Sequence, residues 1–140
     1  MAKFYADSDE KTREFVNRAK SIADLGNRIN EKAGTYSKGM VRKLLLGRAL
    51  MTRPDLAILD EPTSGLDVIN ALEVREIIKK FAAEGISVLL SSHNMLEIEF
   101  LSDRVALIDK GVILDSGTPE ELKEKYRAGN LEEVFRSALR

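Results

Sequence analysis

The 140-residue sequence contains no cysteine, which excludes a disulfide framework and any thiolate metal site. No apolar run approaches the ~18 residues of a membrane span, and Met1–Asp7 has no apolar core of signal-peptide length. A role at a membrane would therefore run through a partner. Neither sign of charge is in excess: 22 basic residues face 23 acidic ones. That balance lends no support to a dedicated nucleic-acid binder, which carries a basic surplus. The pattern GxxxxGK[ST] is missing too. No glycine precedes Gly26, and no Gly-Lys-Ser/Thr triplet occurs anywhere. The chain has no phosphate-cradling loop of that type.

Hydrophobic residues make up 44% of the sequence, enough for one modest globular domain with a core. Periodicity predicts a helix from Asp7 to about Asn30, capped by Asp7 or Ser8 and interrupted at Gly26. Ser37 opens a second helix to about Met51, with Met40, Leu44 and Leu45 as its core residues. Leu56–Leu59 is a continuous apolar run, the pattern of a strand covered on both faces. Ile69–Glu84 is an amphipathic helix ended by Gly85, and Ile86–Leu90 is a second buried strand. Asn94–Leu101 reads as a short helix. Arg104–Asp109 and Val112–Asp115 form a hairpin across Lys110-Gly111. Thr118 caps a helix with Pro119 at its first position, and Leu131–Leu139 is a last helix. Strand, helix, strand and hairpin make an α/β half-sheet, mainly parallel. Such a sheet leaves an unpaired edge and bare apolar faces.

The chemistry concentrates at Asp60-Glu61, where the first apolar strand ends. Carboxylates at the carboxyl end of a parallel strand lie where α/β sheets bind ligands. One acid can hold Mg²⁺, directly or through water, and the other can orient or deprotonate an attacking water. Strand alternation separates their roles, and Pro62 disfavours a helical Glu61, which keeps the pair extended. Taken alone, Asp-Glu is more often an ordinary acidic helix start; the apolar run before it and Pro-Thr-Ser-Gly-Leu-Asp after it reverse that judgement. Ser64-Gly65-Leu66-Asp67 follows at once, with Asp67 able to cap the next helix. His93, the only histidine, stands just beyond the second strand. Ser37 suits an N-cap, and the free N–H groups behind it attract anions. Gly39 lets a phosphate approach the backbone. Lys38 is unfavourable at a positive helix end by about 0.3–1 kcal/mol, a penalty that a phosphate removes.

Together these segments resemble the ATP-binding domains of ABC-type ATPases. Leu56–Glu61 resembles their Walker B motif, Ser64–Asp67 their D-loop, and His93 their switch histidine. Tyr36-Ser37-Lys38-Gly39-Met40 sits where the family has its signature, commonly LSGGQ. Gly47-Arg48-Ala49-Leu50 and Pro54 fall where it has A-R-A-L and a proline. Lys38 and Met40 depart from the common signature, as does Tyr36, and the variant resembles that of drug- or sodium-export ATPases. Ile108–Ile113 and Gly117–Leu122 are similar to the family's final hairpin and helix.

The resemblance implies the C-terminal part of a P-loop NTPase domain of RecA-like, ABC type, with a remnant of the helical subdomain. Residues 1–35 would end that subdomain, 36–125 would carry the motifs, and 126–140 would be a helical extension. It implies Glu61 acting on water, Asp60 on Mg²⁺ and His93 on the γ-phosphate. Ser37, Lys38 and Gly39 would touch ATP held by a second ATP-binding domain, and Asp67 would lie near that interface. A membrane-spanning permease would be the other partner, with the protein cytoplasmic at the inner face of the membrane and no direct nucleic-acid contact. The missing phosphate loop implies a chain that does not hydrolyse ATP alone. The rival expectations are a non-transport ABC ATPase of DNA or translation, which predicts a basic surface, and a non-catalytic regulatory or dimerisation module.

Overall fold

A computed structural model describes residues 1–139. They form two compact units, Met1–Ser91 and the residues from Ser92 onward. Among the described residues there are two two-stranded sheets, so the expected single half-sheet is divided between the units.

In the first unit, α1 (Ala2–Tyr5) precedes α2 (Asp9–Ala23). Ser8 caps α2, its Oγ accepting from the Lys11 N–H at 3.1 Å. The helix stops earlier than its apolar pattern implies, because Asp24 turns left-handed at φ 44° and Gly26 follows at φ 56°. Two 3₁₀ turns, Gly26–Asn30 and Ala33–Thr35, lead to α3 (Lys38–Leu50). This helix buries Leu46, Gly47 and Leu50, while Leu45 is exposed and Leu44 is half-buried. The expected Leu44–Leu45 core face is thus rotated. Gly47 explains the rotation: a Cβ there would lie 2.5 Å from the Ala19 carbonyl oxygen. The glycine marks the line of closest approach to α2, and its neighbours Leu46 and Leu50 are buried with it.

β1 (Leu56–Asp60) and β2 (Ser87–Ser91) are parallel, joined through α4 (Val68–Ala83). Ile58 pairs with Leu89 and Asp60 with Ser91. Ala57, Phe81 and Ile86 pack with Ile22 and Leu50 in one core. The other face of the sheet is bare: Ile58 is 71% exposed and Leu89 59%. The expectation of a strand covered on both faces fails here, because the unit places helices against only the Ala57–Leu59 side of β1. The bare apolar face expected of a half-sheet is present.

The second unit contains α5 (Met95–Leu101), β3 (Val105–Asp109), β4 (Val112–Gly117), α6 (Pro119–Tyr126) and α7 (Leu131–Ala138). Lys110 at φ 46° and Gly111 at φ 79° supply the two positive φ angles of a tight hairpin turn matched to strand twist. A bulge between Leu107 and Ile108 shifts the register. Thr118 and Glu121 form a reciprocal capping box around Pro119. Leu131 and Val134 are fully buried beside Val105, Leu107 and Leu122, so α7 serves packing of this unit.

Candidate functional site

Asp60 and Glu61 stand at the carboxyl end of β1, as expected, and Ser91 on β2 engages both. The Ser91 hydroxyl donates to Asp60 Oδ1, and the Ser91 carbonyl accepts from the Glu61 N–H at 3.0 Å. Glu61 is not extended, however: its φ is 46°, in the left-handed region. Pro62 bars the right-handed helical region to its predecessor, yet the chain must turn sharply to reach the next helix. The left-handed well satisfies both conditions. Strand alternation therefore ends at Asp60 and cannot separate the two acids. Tight turns follow, closed by Ser64 N–H to the Glu61 carbonyl and Leu66 N–H to the Thr63 carbonyl, each at 3.2 Å.

These turns deliver Asp67 to the start of α4. Asp67 Oδ1 accepts from the Asn70 N–H at 3.0 Å, and Oδ2 accepts from Asn70 Nδ2 at 2.6 Å. The backbone hydrogen bond from Asn70, then its side-chain bond, hold the Asp67 carboxyl below the usual carboxylate range. Ser37 caps α3 in the same manner, its Oγ accepting from the Met40 N–H at 3.3 Å. Tyr36 fastens the approach to that cap by donating its hydroxyl to the Arg28 carbonyl at 2.9 Å.

The start of α3 and the turn before α4 border one open groove of about 400 Å³. Tyr36, Lys38 and Arg42 line one side, and Ser64, Gly65 and Leu66 the other. Its charged lining residues are Lys38 and Arg42, with Val41 and Leu45 supplying apolar surface; the two cations suit phosphate oxygens. Gly39 is buried just behind: a Cβ on it would fall 2.1 Å from Asn70 Oδ1. Close packing against Asn70 is thus a second reason for glycine at this position, and one that the sequence did not signal.

His93 belongs to the second unit, in the loop before α5. Asn94 caps that helix, Oδ1 accepting from the Glu97 N–H at 3.2 Å. Glu97 is fully buried and accepts from Ser92 Oγ at 2.6 Å. Sequence reasoning missed Ser91, Asn70 and Glu97. Their types were ordinary for their elements, and only the pairing of distant segments reveals them.

No group of three or more His, Cys, Asp or Glu side chains able to hold a metal occurs among the described residues. A lone strand-end carboxylate such as Asp60, with one oxygen engaged by Ser91, fits the sparse protein ligation typical of Mg²⁺ carried largely by phosphates and water. No described helix is long and apolar enough to cross a membrane.

Parallel strands joined by a helix, with acids at the carboxyl end of the first strand, form the ligand-binding arrangement of an open α/β domain, and the proteins it resembles assign that domain to the P-loop NTPase class. The ABC transporter family profile matches residues 3–64. NatA, an ABC transporter ATP-binding protein of Bacillus subtilis, is 38% identical over 124 residues, covering 84% of this chain and 50% of that protein. A fluoroquinolones export ATP-binding protein of Mycobacterium tuberculosis is 44% identical over 90 residues, 64% of this chain and 30% of that one. A solved ATP-binding subunit of an ABC transporter superposes with a TM-score of 0.81 at 26% identity, covering 99% of this chain and 59% of that one. The chain belongs to the ABC transporter ATP-binding family, and it spans about half the length of NatA.

Proposed function

We propose that the chain acts as the signature-to-switch portion of an ATP-hydrolysing subunit that drives export through a membrane-spanning permease. The observation that carries this reading is the cationic groove shared by the signature segment at Tyr36–Arg42 and the D-loop at Ser64–Leu66. In this reading the groove receives the phosphates of ATP held by a second ATP-binding domain. Lys38 lines that groove and meets the phosphates, Ser37 and Gly39 present the backbone of the helix start to the nucleotide from behind it, and Asp67 holds the D-loop end in place. Glu61 orients or deprotonates the attacking water, and His93 contacts the γ-phosphate. Asp60 would hold Mg²⁺ through water, and the cation would neutralise phosphate charge when bound. The protein would lie on the cytoplasmic side of the membrane through its permease. The family resemblance to export-type subunits supports the direction of transport.

ATPase assays with Mg-ATP test the reading. The chain alone is expected to turn over ATP no faster than buffer, because it has no GxxxxGK[ST] loop. Adding an ABC ATP-binding subunit whose sequence contains GxxxxGK[ST] should raise turnover above that of the added subunit alone, and Ser37→Ala in this chain should diminish the rise. Robust turnover by the chain alone, abolished by Glu61→Gln, would overturn the need for a second phosphate loop. Absence of any rise would overturn the shared-site reading.

A further inference from the structure

Glu97 is a carboxylate that none of these roles uses, yet it has no exposed surface. Removing an acid from water is costly unless hydrogen bonds hold it, so its place calls for a physical reason. Ser92 Oγ donates to Glu97 Oε2 at 2.6 Å, and the same Oγ accepts from the Asn94 N–H at 3.1 Å. Asn94 Oδ1 in turn accepts from the Glu97 N–H at 3.2 Å. The three bonds close a ring from Ser92 to Glu97 to Asn94 and back. The ring grips the residues on either side of His93.

An ordinary capping box contains no such ring. There the acid in the first turn accepts directly from the cap N–H. The chain shows that form at α6, where Glu121 Oε2 accepts from the Thr118 N–H at 2.8 Å. At α5 the cap N–H goes to a serine hydroxyl instead, and the acid lies inside the protein. The serine extends the network back across the histidine. Starting a helix needs neither a buried acid nor this extension.

We propose that Glu97 is a positioning residue for His93: acting through Ser92, its buried carboxylate fixes the backbone on both sides of the histidine and so aims the imidazole. The aim of that imidazole at a γ-phosphate rests on the functional reading above; the positioning does not. His93 is the only histidine, so its imidazole resonances in an NMR spectrum of the 140-residue chain are unambiguous. Amide exchange at Asn94 reports the Ser92 bond directly.

Ser92→Ala should speed exchange at Asn94 by about five- to tenfold, the population change carried by one net hydrogen bond, and should shift the imidazole signals. Ser92→Thr, which keeps the hydroxyl, should restore both. Glu97→Gln keeps an acceptor oxygen and should lie near the parent, whereas Glu97→Ala should behave as Ser92→Ala does. Exchange in the β3–β4 ladder should stay unchanged throughout the serine pair, which tests whether Ser92→Ala acts locally even if Glu97→Ala unfolds the unit. An unmoved Asn94 amide and unmoved imidazole in Ser92→Ala would overturn the proposal, as would an even rise in exchange across the ladder. No nucleotide is present in any arm, so failure here leaves the ATPase reading standing, and failure of that reading leaves the loop result standing.

Discussion

Asn70 occupies the space that a side chain on Gly39 would need. An ideal Cβ at Gly39 would lie 2.1 Å from Asn70 Oδ1 and 2.4 Å from Cγ. Asn70 cannot swing away cheaply, because its amide donates to Asp67 at 2.6 Å. The signature helix and the D-loop helix therefore interlock through a glycine, an amide and a carboxylate.

Gly39→Ala should destabilise the chain by about 1–3 kcal/mol, the usual cost of overpacking. Asn70→Ala in the same chain should recover much of that loss. Urea denaturation of the two single variants and the double variant gives the coupling, expected at about 0.5–3 kcal/mol for groups in contact. Additive effects would show that the interlock carries no energy.

Acid should weaken the same junction. The Asp67 carboxyl is held below its ordinary range, first by the backbone bond from Asn70 and then by its side-chain bond. A depressed folded-state pKa means stability that is present above the unfolded value of about 4 and is lost as pH falls through the folded value. Asp67→Asn keeps a good N-cap but removes the charge. Denaturation of both chains from pH 7 to pH 3 should show a gap at neutrality that closes in acid. Glu14, Glu31 and Asp115 are also depressed, so the difference between the two chains isolates Asp67. A gap that does not change with pH would rule out the charge as its source.

The caps and turns just described were largely legible beforehand. Ser8, Ser37, Asp67 and Thr118 each stand before a helix and each accept from its first turn, while Asn94, expected as the first helical residue, is a cap as well. Local chemistry writes such positions directly, since the cap and its partner lie three residues apart. The Lys110-Gly111 turn is local for the same reason. The expectations that failed each depend on a distant neighbour or on two constraints acting together. Leu56–Leu59 has apolar residues on both faces, but pattern alone cannot say which face the unit covers. Leu45 lost its place in the core because Gly47 sets the approach of α2. Glu97 sits on a short helix where an acid reads as a solvated residue, and only its tertiary setting buries it. Glu61 departed from the extended form because two constraints, the proline after it and the turn beyond, act together.

The bare sheet face makes an assembly prediction. Ile58 and Leu89 are cross-strand partners, and both point away from the core of their unit. Each side chain regains roughly 1.5–3 kcal/mol on full burial, and exposed apolar surface of this kind drives association. The 140-residue chain should therefore self-associate at micromolar concentrations in sedimentation velocity. Ile58→Lys should shift the distribution toward monomer without loss of helical signal in circular dichroism. A parent chain that sediments as a monomer would show that the face is harmless as it stands.

The left-handed backbone at position 61 sets folding against chemistry. Asp24, Arg53, Lys110 and Arg127 also have positive φ, but they lie at helix ends or in the hairpin turn, where such geometry closes a local structure. Glu61 lies in the bend that leaves a strand. A side chain there costs about 1–2 kcal/mol relative to a residue without Cβ, so glycine would be the cheaper occupant for the fold. The carboxylate at position 61 thus stands on a backbone conformation that glycine adopts at lower conformational cost, so a substitution chosen to relax that bend takes the acid away with the strain.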